Sequence, residues 1–229
     1  MNGALPIWII AIPFLVALVE RFTTPKPVYV AGAGASSRAE VPRSNGGDLD
    51  VVSLLEQQHA QIKTLFLQTL ASTGPERAGG FLALRQLLAA HEALEEEIVH
   101  PAAVHALETL GKSGREIVRG RLEEERTAAT SITQLESLPI DSVVFEMSLR
   151  KLQHDVVEHA DHEERFEFVA FERDTFPVAP LEFKKAAESV YAEGASQQRG
   201  ASRDVGRFVA MLNRAREAIG TRTQQPEGV

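Results

Sequence analysis

Histidine and glutamate stand four residues apart in His91 and Glu95 of "HEALEEEIVHP" and in His159 and Glu163 of "EHADHEERFEF". Residues i and i+4 of a helix are neighbours on one face, so each pair presents an imidazole and a carboxylate together. The chain has no cysteine, which removes disulfides, thiolate nucleophiles, zinc fingers and cysteine-held iron–sulfur clusters. Any metal must therefore be held by histidine and carboxylate. Such a donor set suits iron, manganese or zinc, and residue types alone leave that choice open.

The elements that would position these groups are helical. From Asp48 onward the apolar residues follow a 3.6-residue period with no strand alternation. A first helix starts from Asp48 or Asp50 as N-cap and fades near "STGPE". A second begins after Pro75 and runs at least to His100, where Pro101 ends or kinks it. The third follows "GKSG" and ends near Leu138 and Pro139; the fourth takes Asp141 as N-cap and continues to about Glu172. Short connections make neighbours antiparallel, so the expected architecture is an all-α, up-down four-helix bundle.

Each helix has one inward stripe. In the first it is Val52, Leu55, His59, Ile62 and Phe66; in the second Leu84, Leu88, His91, Glu95, Ile98 and Ala102. The fourth gives Phe145, Leu149, Leu152, Val156, His159, Glu163, Phe166 and Ala170. In the third the best line is Val118, Leu122, Glu125, Ala129 and Ile132, with Glu124 as the reserve for Glu125. Counting residues from the turns puts His59, His91, Glu95 and Glu125 near one level, with Glu163 of the fourth helix deeper and off that level unless the third loop extends into the helices. Three histidines and three glutamates on inward stripes are costly to bury without compensation. A bound cation supplies it, and a cage of His59, His91, Glu95, Glu125, His159 and Glu163 is large enough for two ions. Metal-free His–Glu ion pairs are the alternative.

Other polar residues are assigned outside the cage. His154 and His162 are turned off the seam, His162 being a candidate hydrogen-bond donor to a ligand. His100 falls half a turn from His91 and His105 lies beyond Pro101, which gives both surface or end-cap roles. Glu96 and Glu97 are solvated, Lys63 sits on the rim, and Phe66, Phe145 and Phe166 are packing residues.

A formal net charge of −8 argues against a nucleic-acid groove. Residues 1–22 contain an apolar run, Ala4 to Val19, interrupted by Pro6 and Pro13. At roughly 1.5 Å per residue the run is a marginal membrane span. The readings are an anchor over residues 4–19, a poorly structured extension, or a start placed too far upstream; basic residues only after the run would keep the rest cytoplasmic if it inserts. Residues 23–47 are a flexible linker, 48–175 the bundle, 176–220 two further amphipathic helices that cover the bundle or dimerise, and 221–229 a disordered tail. One face of the last helix is formed by Phe208, Met211, Leu212, Ala215 and Ile219. The oligomeric state is left open.

The segments "LLEQQHAQIKTLF", "AAHEALEEEIVHPA", "RLEEERTAA" and "EHADHEERFEF" together resemble the hemerythrin family, in particular bacterial hemerythrin-like HHE cation-binding domains, over about residues 50–175. The resemblance implies a four-helix bundle with a non-haem centre of two iron ions that reacts with dioxygen or related small molecules. It implies His59, His91, Glu95, His159 and Glu163 as ligands, with Glu95 and Glu163 as candidate bridges. The third helix departs from the pattern, since no histidine lies between His105 and His154 and only "EEER" offers a ligand. A carboxylate there adds negative charge, favours the higher oxidation state of iron and disfavours simple oxygen carriage. Chemistry with peroxide, dioxygen or nitric oxide fits, as does a non-enzymatic sensing or iron-handling module. The only tyrosines, Tyr29 and Tyr191, lie outside the domain, which disfavours a tyrosyl radical.

Overall fold

The computed structural model describes residues 51–171, 189 and 206–220. The N-terminal run, the linker, the Asp48 or Asp50 cap, the first of the two C-terminal helices and the tail lie outside the described residues, and no helix among the described residues is long and apolar enough to cross a membrane. The described part is all-α. Helix α1 spans Val51–Ala71 and α2 Gly74–Leu94; a π-helical turn, Glu95–Val99, joins α2 to α3, His100–Thr109. Helix α4 spans Gly114–Ser137 and α5 Val143–Phe166, with a short α6, Phe168–Phe171, directly after it and then α7, Arg207–Gly220.

α2, the π turn and α3 form one continuous helical rod, so α1, this rod, α4 and α5 are the four members of an up-down bundle. α1 packs on α2 and α5, and α4 on α3 and α5, which closes the ring. Apolar residues at helical spacing fill its axis, with Leu55, Ile62, Phe66, Leu84, Leu88, Ile132, Phe145, Leu149 and Leu152 all buried. Phe81 and Phe145 meet edge to face at 5.1 Å between centroids. Gly80 lets α1 and α2 approach closely, because a Cβ there would stand 2.7 Å from Thr69 Oγ1.

Three expectations about the helices are corrected. Asp141 does not cap α5: the cap is Ser142, whose hydroxyl accepts from Phe145 N at 3.1 Å. Asp141 instead accepts from Gly74 N at 2.8 Å and so ties down the α1–α2 turn, where Gly74 takes φ +56 and Pro75 starts the helix. Of the two readings of Pro101, an end of the second helix is excluded, since the helix continues to Thr109; the chain widens into a π turn, in which His100 N donates to Glu95 O, and Pro101 fits as an early residue of α3. The fourth helix is interrupted at Glu167; Phe166, its last residue before the break, is 47% exposed, and Phe168 and Phe171 beyond the break are buried.

Helix α2 also buries more than a stripe: from Leu84 to Glu95 every residue is buried. The bundle covers one side and α7 the other, through Phe208, Met211, Leu212, Ala215 and Ile219. Glu136 of α4 fixes the start of α7 by accepting from the backbone N–H groups of Gly206, Arg207 and Phe208 at 2.8, 3.0 and 2.9 Å. The same carboxylate pairs with the buried Arg85 of α2 at 2.5 Å. At the other end Arg216 of α7 pairs with Glu96 in the π turn.

Candidate metal centre

Each expected residue lies on an inward face because the apolar residues above and below it on its helix are in the core. His59 sits between Leu55 and Ile62, His91 between Leu88 and Leu94, Glu125 between Val118 and Ile132, and His159 beyond Leu152 and Val156. All six residues, His59, His91, Glu95, Glu125, His159 and Glu163, are buried. Donor atoms of His59, His91, Glu95 and Glu163 lie within 4.8 Å of one another, as do those of Glu95, Glu125, His159 and Glu163. Glu95 and Glu163 belong to both groups and stand between them. Glu163 is therefore not off-level, as counting from the turns suggested.

The three histidines share one arrangement. The Nδ1 of His91 is held by Gln58 Oε1 at 2.7 Å, that of His59 by Glu164 Oε1 at 2.9 Å, and that of His159 by Glu124 Oε2 at 3.0 Å. In each ring Nε2 is left facing the shared carboxylates: His59 Nε2 is 3.3 Å from Glu163, His91 Nε2 3.1 Å from Glu95, and His159 Nε2 3.4 Å from Glu163. An outer acceptor that fixes the tautomer and aims the other nitrogen inward is how metal-binding histidines are oriented. Glu124 is thus an outer partner, and His162, 3.2 Å from its other oxygen, joins it there together with Arg121 at 3.0 Å.

The inward atoms lack ordinary partners. His59 Nε2, His159 Nε2, both oxygens of Glu95, both of Glu163 and Glu125 Oε2 are buried without a hydrogen bond. Orphaned buried polar atoms in such number are rare, and here they converge on one place. Burial, aided by Glu163, pushes the Glu95 carboxyl up to about 8. Burial acts the same way on Glu163, but His159 and His59 more than reverse it and hold that carboxyl below its usual range. Burial also drives His91 well down, helped by His59. Without a cation the two shared carboxylates cannot both ionise comfortably in this dry core. The donor set and its orphaned atoms fit divalent or trivalent metal.

Three features went unseen in the sequence. His100, expected in a surface or end-cap role, is 2% exposed; its Nε2 is 2.5 Å from Glu125 Oε1 and its Nδ1 3.1 Å from Glu167 Oε2. The π turn brings it in, a feature that periodicity at 3.6 residues per turn does not reveal. Gln58 and Glu164 directly neighbour His59 and Glu163 in sequence, and adjacency to a ligand was their available signal. Glu92 is buried with Oε2 unpartnered, and burial raises its carboxyl well above the usual range. It helps to line a cavity of about 20 Å³ beside His59, His91, Glu125 and His159, which is room for about one water-sized molecule.

Comparison with protein families decides what this arrangement belongs to. The hemerythrin HHE cation-binding domain model matches residues 50–171, more than half of the 229-residue chain. The chain belongs to the hemerythrin HHE cation-binding family. No curated protein and no solved structure matches it. The match covers all of the bundle's four members and ends with α6, so the candidate centre lies wholly inside the hemerythrin domain and α7 lies outside it. Cation binding, the property the family is named for, is consistent with the buried His/Glu cluster.

Proposed function

We propose that this hemerythrin-like domain binds two iron ions and reacts with dioxygen, peroxide or nitric oxide. The observation that carries the reading is the pair of overlapping donor groups with Glu95 and Glu163 in common. One ion would be held by His59 and His91, the other by His159 and Glu125, with Glu95 and Glu163 serving both. When bound, iron supplies the redox chemistry that such small ligands require. The chain's own residues do the rest: Gln58, Glu164 and Glu124 orient the imidazoles, and Leu88, Val156 and Ala160 line the adjoining cavity. A cavity of about 20 Å³ beside the donor groups has room for a small ligand. The carboxylate at Glu125 makes the set richer in negative charge, which favours ferric iron over reversible oxygen carriage.

The same small cavity also fits a second reading, a regulatory module that binds metal and senses a small ligand without turning it over. Metal content per chain, measured on protein purified without added metal together with the ultraviolet–visible spectrum before and after peroxide, tests both. About two irons and an oxo-bridged ferric absorption that changes with peroxide are expected. Catalytic loss of excess peroxide marks the reactive reading, and a spectral change without turnover marks the sensing one. A single zinc, or no metal after anaerobic ferrous loading, would overturn the two-iron assignment.

A further inference from the structure

Helical counting gives His100 a surface or end-cap role, and the structure instead seats it between two buried carboxylates. Nine residues at about 100° each would place it opposite His91. A π turn holds one residue more than an α turn, so everything beyond Glu95–Val99 is set back by roughly one residue's rotation. His100 thereby swings toward the bundle axis. Its Nε2 meets Glu125 Oε1 at 2.5 Å and Glu125 Oε2 is left unpartnered, while a carboxylate oxygen of Glu125 lies within 4.8 Å of donor atoms of Glu95, His159 and Glu163. On the other side Nδ1 meets Glu167 Oε2 at 3.1 Å, and Glu167 is fully buried at the break between α5 and α6.

We propose that His100 is the positioning residue of the third-helix carboxylate, holding one oxygen of Glu125 so that only the other faces the metal pair, with Glu167 fixing the imidazole from behind. The inference rests on the two-ion reading above. It explains how a helix without histidine still presents a single, aimed donor: the imidazole absent from α4 is supplied one step further out, from α3. It also accounts for two irregularities of the backbone together, since the π turn delivers His100 and the break after Phe166 delivers Glu167. His100 lies with Glu163 and Glu167 in a third donor group within 4.8 Å. Both of its nitrogens already face carboxylates, however, and Glu163 is shared by the two ions, so the cluster is a clamp and not a third cation site.

The test is anaerobic titration with ferrous ion, and in parallel with redox-silent zinc, on the full chain and on His100→Phe, His100→Gln and Glu167→Gln, reading ions per chain, affinity of the weaker ion and the spectrum after oxidation. Loss of an outer partner typically lowers metal affinity by about ten- to a hundredfold. His100→Phe is expected to weaken the second ion by at least about tenfold and shift the oxidised spectrum while the circular dichroism stays helical. His100→Gln, whose amide still donates to Glu125, should recover most of that loss. Glu167→Gln should shift affinity in the same direction by less, and should add nothing in the His100→Phe background. The two glutamine variants carry the test if phenylalanine is not accommodated. Wild-type affinity and spectrum in every variant would overturn the inference and leave the two-ion reading standing. A third wild-type ion lost in His100→Gln would overturn it in favour of direct ligation, and a wild type that binds no ion overturns both readings.

Discussion

A glutamate inside an apolar bundle is tolerable only if something takes up its charge, and at Glu95 the metal-free chain does so with a proton. Burial raises this carboxyl from 4.5 to about 8. Below pH 4.5 the folded and unfolded chains both hold the proton and nothing is lost. Between 4.5 and about 8 the unfolded chain gives it up while the folded chain keeps it, so stability falls as pH rises, and above that the full cost is present. Glu95→Gln removes the titration, so the metal-free variant should lose less stability than wild type between pH 5 and pH 8 in urea unfolding. Parallel curves for the two proteins would show that Glu95 is not desolvated as described. The same substitution removes a donor shared by both groups, and metal content should drop below one ion per chain. His91→Ala should abolish loading as well; under metal-free His–Glu pairing, removing the buried polarity would instead leave stability unchanged or raise it, with no metal to lose.

Helices were legible where the apolar period is unbroken, and were misjudged where the chain departs from 3.6 residues per turn. The stripes of α1, α4 and α5 needed only counting, which is why His59, Glu125 and His159 face inward as expected. The π turn at Glu95–Val99 shifts the helical phase of the residues C-terminal to it, so His100 came in against the count, and the break at Glu167 ends α5 with Phe166 exposed and Phe168 buried beyond it. Neither irregularity has a residue signature as plain as a capping serine. Capping itself was misassigned by one residue, because Asp141 and Ser142 are both good caps and only the fold shows that Asp141 is taken by Gly74. Contacts between elements were equally invisible, and Glu136 is the sharpest case. It neutralises Arg85, which is 8% exposed, and caps α7 with three backbone bonds. Glu136→Ala leaves Arg85 in the interior without its carboxylate, a change that typically costs about 3–5 kcal/mol. Equilibrium unfolding should register a loss of that order, with α7 more open to limited proteolysis; Glu136→Gln, which keeps an acceptor, should lose less.

At the scale of the whole molecule the candidate ligands come from every member of the bundle: His59 from α1, His91 from α2 with Glu95 at its π turn, Glu125 from α4, and His159 with Glu163 from α5. A centre built this way couples loading to the closure of the ring, because no smaller subset of helices brings both donor groups together. α7 contributes no donor to either group; its apolar face covers the outer side of the helix that carries His91, and its Arg216 pairs with Glu96. Ligand that binds only the folded chain stabilises it by mass action, by about 2.7 kcal/mol when free metal is a hundredfold above the dissociation constant. Ferrous or zinc loading should therefore raise the unfolding free energy of the wild type by about that amount for each ion bound, and should leave Glu95→Gln nearly unmoved. Hydrogen exchange locates the effect: protection should rise around His59, His91, Glu125 and His159 together, and less in α7. A gain confined to one helix pair would mean that the ion sits at the surface of the bundle, and the shared-carboxylate arrangement would then have to be given up.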